Sequence, residues 1–154
     1  MTFEYKDIVV AVDGSVTAEV AFNKAIDIAN RNEAKLVLAH VVDTRAFATV
    51  EAYDRSLAIR AEQYATELLN DYQEKAEKAG VKNVVVDIEY GSPKVKIAKD
   101  VAPKYNADLI ICGATGLNAM ERFFIGSVSE HITRYATCDV LVVRPDDTEE
   151  TQDK

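Results

Sequence analysis

The chain has 154 residues, 48% of them apolar and 29% charged, which is typical of one globular domain and too short for two ordinary α/β units. The formal net charge of −8 argues against nucleic acid as a partner, because affinity for nucleic acid comes largely from Lys and Arg side chains that neutralise phosphates. The apolar runs are too short to cross a bilayer and the first residues lack the pattern of a secretory leader, so we expect a cytoplasmic protein with no membrane partner.

Five short runs rich in Val and Ile predict β-strands. Apolar residues occupy successive positions in these runs, which is typical of strands covered on both faces, as in a parallel sheet. The predicted strands cover residues 8–12, 36–42, 84–88, 109–112 and 140–143.

The segments between these strands have apolar residues at helical spacing, which predicts helices. The first helical segment starts at a Ser15 cap and ends near residue 30. The second is the longest; it starts between residues 49 and 56, turns Tyr64 inward and stops before Gly80.

The third helical segment opens with Ser92, a cap, followed by proline at the first helical position. The fourth starts at Ser127, turns Tyr135 inward, and carries a Ser127-Val-Ser-Glu130 pattern that has the form of a capping box. Strand and helix thus alternate throughout, which predicts an open, doubly wound α/β sheet with right-handed crossovers. We expect a single domain over residues 1–145 and a solvated acidic tail over residues 146–154.

The reactive side chains do not form a recognisable catalytic set. Cys112 and Cys138 are interpreted as inert core thiols, since no CxxC pair is present. His40 and His131 lack a motif partner for catalysis and the spacing of a zinc site. The sequence therefore names no catalytic residue.

A glycine pattern is the most informative motif of the chain. Gly113-Ala-Thr-Gly116 follows the fourth predicted strand and is separated by nine residues from Gly126-Ser127, giving the spacing G-x2-G-x9-G-[ST]. A glycine turn between a strand and a helix lets backbone amides surround phosphate oxygens at the positive end of the helix dipole. The motif lacks the lysine of a Walker P-loop and the spacing of a dinucleotide fingerprint. The alternative is that these glycines only make a turn.

Asp13, at the end of the first predicted strand, is a second candidate. Ligands of such sheets occupy the crevice at the carboxyl ends of the strands, where strand order reverses. If the first and fourth strands are neighbours, Asp13 faces the glycine loop, where a carboxylate can ligate Mg²⁺ or hydrogen-bond a ribose hydroxyl. The competing interpretation, an Asx turn before the first helix, is equally compatible with the sequence.

Three segments together resemble the universal stress protein family. They are Ile8-Val-Val-Ala-Val-Asp-Gly-Ser15, the glycine motif, and Ala136-Thr-Cys-Asp-Val-Leu-Val-Val-Arg-Pro145. The resemblance implies a five-stranded parallel sheet in the order 3-2-1-4-5, a homodimer, and ATP bound at the carboxyl edge. Because one branch of the family has lost the motif and does not bind ATP, this chain resembles the ATP-binding branch.

The resemblance also implies a set of site residues. Asp13 corresponds to the acid after the first strand, and main-chain groups at Val41 correspond to those that hold adenine. Arg122 is either a phosphate contact or a surface charge. The positions that correspond to the phosphate and ribose loop are Gly113, Gly116, Gly126, Ser127 and Val128.

The function expected from the sequence is that of an ATP-binding, dimeric regulatory or stress-response module that binds ATP with Mg²⁺ or another divalent cation. A weak ATP hydrolase or adenylyl-transfer enzyme, and a dimeric scaffold that needs no nucleotide, are the alternatives. The homodimer is expected to form through the last strand, Asp139 to Arg144, an apolar edge with neither proline nor inward lysine. The sequence leaves open the downstream partner and the choice among AMP, ADP and ATP.

Overall fold

The sheet contains five parallel strands in the order β3-β2-β1-β4-β5, which confirms the order implied by the resemblance. The computed structural model describes residues 4–44, 55–115 and 125–144. Each predicted strand is present, and its ends lie within three residues of the predicted ones. The strands are β1 (Asp7–Ala11), β2 (Lys35–Asp43), β3 (Val84–Gly91), β4 (Leu109–Gly113) and β5 (Asp139–Val143).

The helices follow the predicted alternation. The hydroxyl of Ser15 caps the first helix by accepting a hydrogen bond from the amide of Ala18 at 3.1 Å, as predicted. None of the helices within the described ranges is long and apolar enough to span a membrane. The helices are α1 (Val16–Asn32), α2 (Arg55–Lys78), α3 (Pro93–Lys96), α4 (Ala102–Lys104) and α5 (Ser127–Tyr135).

A π-helical turn, Ile97–Val101, joins α3 to α4, so the predicted third helix is one helical segment in three parts. In this turn the amide of Ala102 donates to the carbonyl of Ile97, five residues back. The next residue is Pro103, which has no amide hydrogen and would crowd a carbonyl in a regular α-helix. The wider turn before Pro103 relieves this conflict. Ser92 occupies the predicted cap position, but its hydroxyl caps no amide.

The sheet is covered on both faces. Helices α1 and α2 pack over one face, where Leu36 and Leu38 of β2 meet Phe22, Leu69 and Tyr72. The segment from α3 to α4 and helix α5 pack over the other, where Val37 and Ala39 of β2 meet Ile97, Val101 and Ile132. Successive apolar residues of one strand therefore serve two cores, which explains the uninterrupted apolar runs.

The prediction that Tyr64 and Tyr135 point inward is wrong. Their exposed fractions are 51% and 48%. In α2 the predicted inward residues Ala65, Tyr72 and Ala76 are buried, but Leu69 is buried where the sequence predicted Leu68. An apolar stripe on a helix tells which side faces the core, but its borders are fixed only when the helix is docked.

A nearly buried carboxylate ties α4 to the edge strand β3. Asp87 is 5% exposed and accepts hydrogen bonds from Lys104 Nζ at 2.9 Å and from the Tyr105 hydroxyl at 2.5 Å. Burial alone would raise the pKa of Asp87, but hydrogen bonds with Glu89, Tyr105 and Lys104 outweigh it and hold the pKa below its ordinary value. The hydrogen bond with Asp87 and the negative charge of that carboxylate raise the pKa of Lys104 to about 12.

Candidate functional site

The carboxyl ends of β1 and β4 lie side by side at the point where strand order reverses. Val9 pairs with Ile110 and Val10 with Ile111, and β1 has β2 on its other side. The turn that starts at Asp13 and the loop that starts at Gly113 therefore leave the sheet beside one another. This is the crevice in which open α/β sheets bind ligands.

Asp13 makes the Asx turn that the sequence left open. Its Oδ1 accepts a hydrogen bond from the amide of Ser15 at 2.9 Å, and Gly14 between them has a φ of +83°. Only one carboxylate oxygen is used in this turn, so the two interpretations are compatible. The turn fixes the side chain in place, and no other described residue bonds to its carboxylate, so the second oxygen is available to a ligand.

Gly113 is required by packing. A Cβ atom at this position would lie 2.7 Å from Thr17 Cγ2 and 3.1 Å from the Thr17 carbonyl carbon, so α1 can approach β4 only because the side chain is missing. The Thr17 and Thr115 hydroxyls, 3.4 Å apart and buried, join α1 to the loop just beyond. Gly113 thus positions both sides of the crevice without needing a ligand.

The second half of the motif is anchored through Ala114. Its carbonyl accepts hydrogen bonds from the Gly126 amide at 2.7 Å and from Ser129 Oγ at 2.9 Å. Its own amide donates to the carbonyl of Val143 at 2.7 Å. The Gly126 amide is therefore already engaged by a protein carbonyl. Gly116 and Arg122 lie outside the described residues.

The first turn of α5 offers amides to a ligand. Gly126 is the N-cap, with φ −70° and ψ 163°, so Ser127 and Val128 are the first two helical residues. Among the described residues, no acceptor takes the amide hydrogen of either one. Both amides stand at the positive end of the helix dipole, which favours an anion.

The predicted capping box is wrong by one residue. Because Gly126 and not Ser127 is the N-cap, Glu130 is one position too far along the helix to reach back to the cap amide. Its carboxylate instead pairs with Arg134 at 3.1 Å, one turn further along α5. The carboxylate that would repel an anion is thus directed along the helix, away from its first turn.

Comparison with known proteins assigns the fold to a family. A family model described as the universal stress protein family matches residues 4–144. The chain belongs to this family. A Staphylococcus haemolyticus protein assigned to the universal stress proteins is 51% identical over 146 residues, covering 95% of this chain and 88% of that protein.

Solved structures of the family share this architecture. Universal stress protein UspA from Lactobacillus plantarum is 34% identical, with a TM-score of 0.83 over 93% of this chain and 100% of that chain. A universal stress protein solved in complex with cAMP is 25% identical, with a TM-score of 0.70 over 94% of this chain and 100% of that chain.

Two side chains near the end of β1, Tyr64 and His40, were not singled out as site residues by the sequence. The Tyr64 hydroxyl occupies the space that a side chain at Gly14 would fill, so α2 reaches across to the Asp13 turn. His40 Nδ1 lies 2.6 Å from the carbonyl oxygen of Val12, and its ring is 6.3 Å from that of Tyr64. Helical spacing alone gave no signal for Tyr64, since its contact is with a residue fifty positions away.

Val41 lies in a neighbouring strand, and the described residues form no metal site of their own. Val41 is 8% exposed near the carboxyl end of β2, where it pairs with Glu89 of β3. Within residues 4–44, 55–115 and 125–144, no group of three or more His, Cys, Asp or Glu side chains comes together to hold a metal ion. A divalent cation at Asp13 would therefore take its remaining ligands from phosphate and water, as Mg²⁺ commonly does.

Proposed function

We propose that this universal stress protein is an ATP-binding regulatory module that responds to stress or energy state. The observation that carries the proposal is the pair of amides at Ser127 and Val128 that no described residue engages, on the β4 side of a crevice whose β1 side holds Asp13. The family member solved with cAMP shows that this fold accommodates an adenine nucleotide. A cytoplasmic location, where ATP is available, belongs to the same proposal.

A divalent cation would offset the negative charges that surround the proposed phosphate site. A hydrogen bond from an amide to a charged oxygen contributes about 1.5–3 kcal/mol, and the helix dipole adds about 0.3–1 kcal/mol. Against this stands a chain with net charge −8 and a carboxylate at Asp13. Mg²⁺ between Asp13 and the phosphates would turn that repulsion into ligation.

The proposal includes a homodimer formed through β5. This strand is at the edge of the sheet, and Val140, Leu141 and Val142 are only half-buried. Beside it, Val142 and Ile125 line a groove of about 530 Å³. An apolar edge strand presents unpaired backbone groups that a second copy can cover across a twofold axis.

One observation favours the alternative of a scaffold that needs no nucleotide. Gly113 is explained by its contact with Thr17, so part of the glycine motif would be present even in a protein that binds nothing. In the nucleotide-binding function the Ser127 amide donates to a phosphate, whereas in the scaffold it does not. Measurements of ATP binding therefore distinguish the two functions.

Calorimetric titration with ATP, with and without MgCl₂, tests the proposed function. We expect saturable binding that Mg²⁺ strengthens. In the matched variant Asp13→Asn the side-chain oxygen can still accept from the Ser15 amide, but the charge is gone. We expect this variant to bind ATP without Mg²⁺ at least as well as the wild type and to gain little from Mg²⁺. Absence of saturable binding at millimolar ATP would leave the scaffold as the function.

A further inference from the structure

A cluster of basic side chains lies where α5 packs beside α3 and the π-helical turn. Lys99 Nζ is 4.8 Å from the centroid of the Tyr135 ring, and that ring is 4.4 Å from the ring of His131. Lys94 and Arg134 complete the cluster, since both act electrostatically on the His131 imidazole. We call these five residues the basic patch.

The basic patch has cations that the described part of the chain leaves without acidic partners. Lys94 and Lys99 form no ion pair with a described carboxylate, whereas Arg134 pairs with Glu130 on its own helix. Burial lowers the pKa of His131, and the positive charges of Lys99, Lys94 and Arg134 lower it further. Tyr135 is 48% exposed in the middle of these charges. Such a surface suits an acidic segment of chain.

An acidic segment of this kind follows β5 in the same chain. Residues 146–154 carry five carboxylates and a single lysine, and the proposed nucleotide site makes no use of them. We propose that the acidic segment 146–154 docks on the basic patch of its own chain. The inference is independent of nucleotide binding, because it involves neither Asp13 nor the first turn of α5.

The acidic segment is long enough to reach the basic patch from the end of β5. The ten residues after Arg144 can extend up to about 33 Å, while α5, with nine residues, is about 14 Å long and about 10 Å wide. Covalent attachment gives the segment an effective concentration on the order of millimolar at the patch. Contacts between exposed charges are individually weak, so this tethering favours the chain's own segment over a free acidic peptide.

NMR titration of His131, which lies within the basic patch, provides a direct test. The test compares the wild type with a full-length variant whose tail is neutral, carrying Asp146→Asn, Asp147→Asn, Glu149→Gln, Glu150→Gln and Asp153→Asn. We expect the pKa of His131 to be lower in the variant than in the wild type by about 0.3–0.7 at low salt.

Two controls separate docking from a general effect of charge. At 1 M salt the Debye length is about 3 Å, so the difference between wild type and variant should vanish. In a Lys94→Gln, Lys99→Gln background, neutralising the tail should shift the pKa of His131 much less. Identical titration of His131 with both tails, or a shift that is independent of the two lysines, would overturn the proposal.

A mixing experiment identifies the copy that supplies the segment. Isotopically labelled neutral-tail protein is mixed with an excess of unlabelled wild-type protein. If docking is within the chain, the pKa of the labelled His131 stays at the value of the neutral-tail protein. Its return to the wild-type value would mean that the segment comes from a second copy and would refute docking within one chain.

Discussion

Replacing Ser127 by proline removes one amide from the proposed phosphate site while preserving the helix that carries it. Ser127 is the first residue of α5, the position at which proline is favoured because its missing amide has no partner within the helix. Gly126, with φ −70° and ψ 163°, already has the extended conformation that proline imposes on the preceding residue. We therefore expect the free energy of unfolding to change by no more than about 1 kcal/mol.

The expected loss of affinity follows from the missing hydrogen bond. A hydrogen bond to a charged phosphate oxygen contributes about 1.5–3 kcal/mol, which corresponds to a Kd for ATP that is about 10- to 150-fold higher. The matched control is Ser127→Ala, which keeps the amide and removes the hydroxyl. Calorimetric titration with ATP and Mg²⁺ gives the affinities, and thermal unfolding shows that both variants are folded.

The comparison of the two variants decides the outcome. If Ser127→Pro is folded and binds ATP as tightly as Ser127→Ala, the phosphates do not contact the first turn of α5. The amides of Ser127 and Val128 would then not form the phosphate site, whatever the affinity of the wild type.

Three further predictions concern packing, titration and assembly. Gly113→Ala should lower the free energy of unfolding by about 1–3 kcal/mol in urea, because the new Cβ overlaps Thr17; an unchanged midpoint would contradict the packing role. Asp87→Asn should cost about 1.5–3 kcal/mol at pH 7. Because the folded pKa of Asp87 is lowered, the wild type is more stable than Asp87→Asn above about pH 4, and this difference is lost as the pH falls through the folded pKa. A difference in the free energy of unfolding that is the same at pH 7 and pH 2 would contradict this. Sedimentation should show a dimer, and a strict monomer at micromolar concentration would count against pairing through β5.

The order of the elements could be predicted because each strand and helix carries its own signal. The apolar runs of β1, β2 and β4 are buried on both faces, and the sequence shows this directly. Ser15 could be identified as a cap because its partner, Ala18, is three residues away. Local patterns of this kind need no knowledge of the rest of the chain.

The details of the site depend on contacts between distant residues. The role of Gly113 depends on Thr17, and the engaged amide of Gly126 depends on Ala114. The capping-box pattern is local, yet the helix begins with Gly126 as its cap, because the hydrogen bond to Ala114 fixes where the chain enters the helix. Sequence patterns found the right segment but could not say which of its amides are available.

The anchoring of Gly126 to Ala114 has a consequence for how this protein can change over time. Two hydrogen bonds to one carbonyl hold the start of α5 against the end of β4, whatever the chain does in the eleven residues between them. Closing a longer connection costs little, about 0.6 kcal/mol for each doubling of its length. A change of length beyond Gly116 would therefore leave the amides of α5 in the same orientation, because the anchor at Ala114 lies outside the altered stretch.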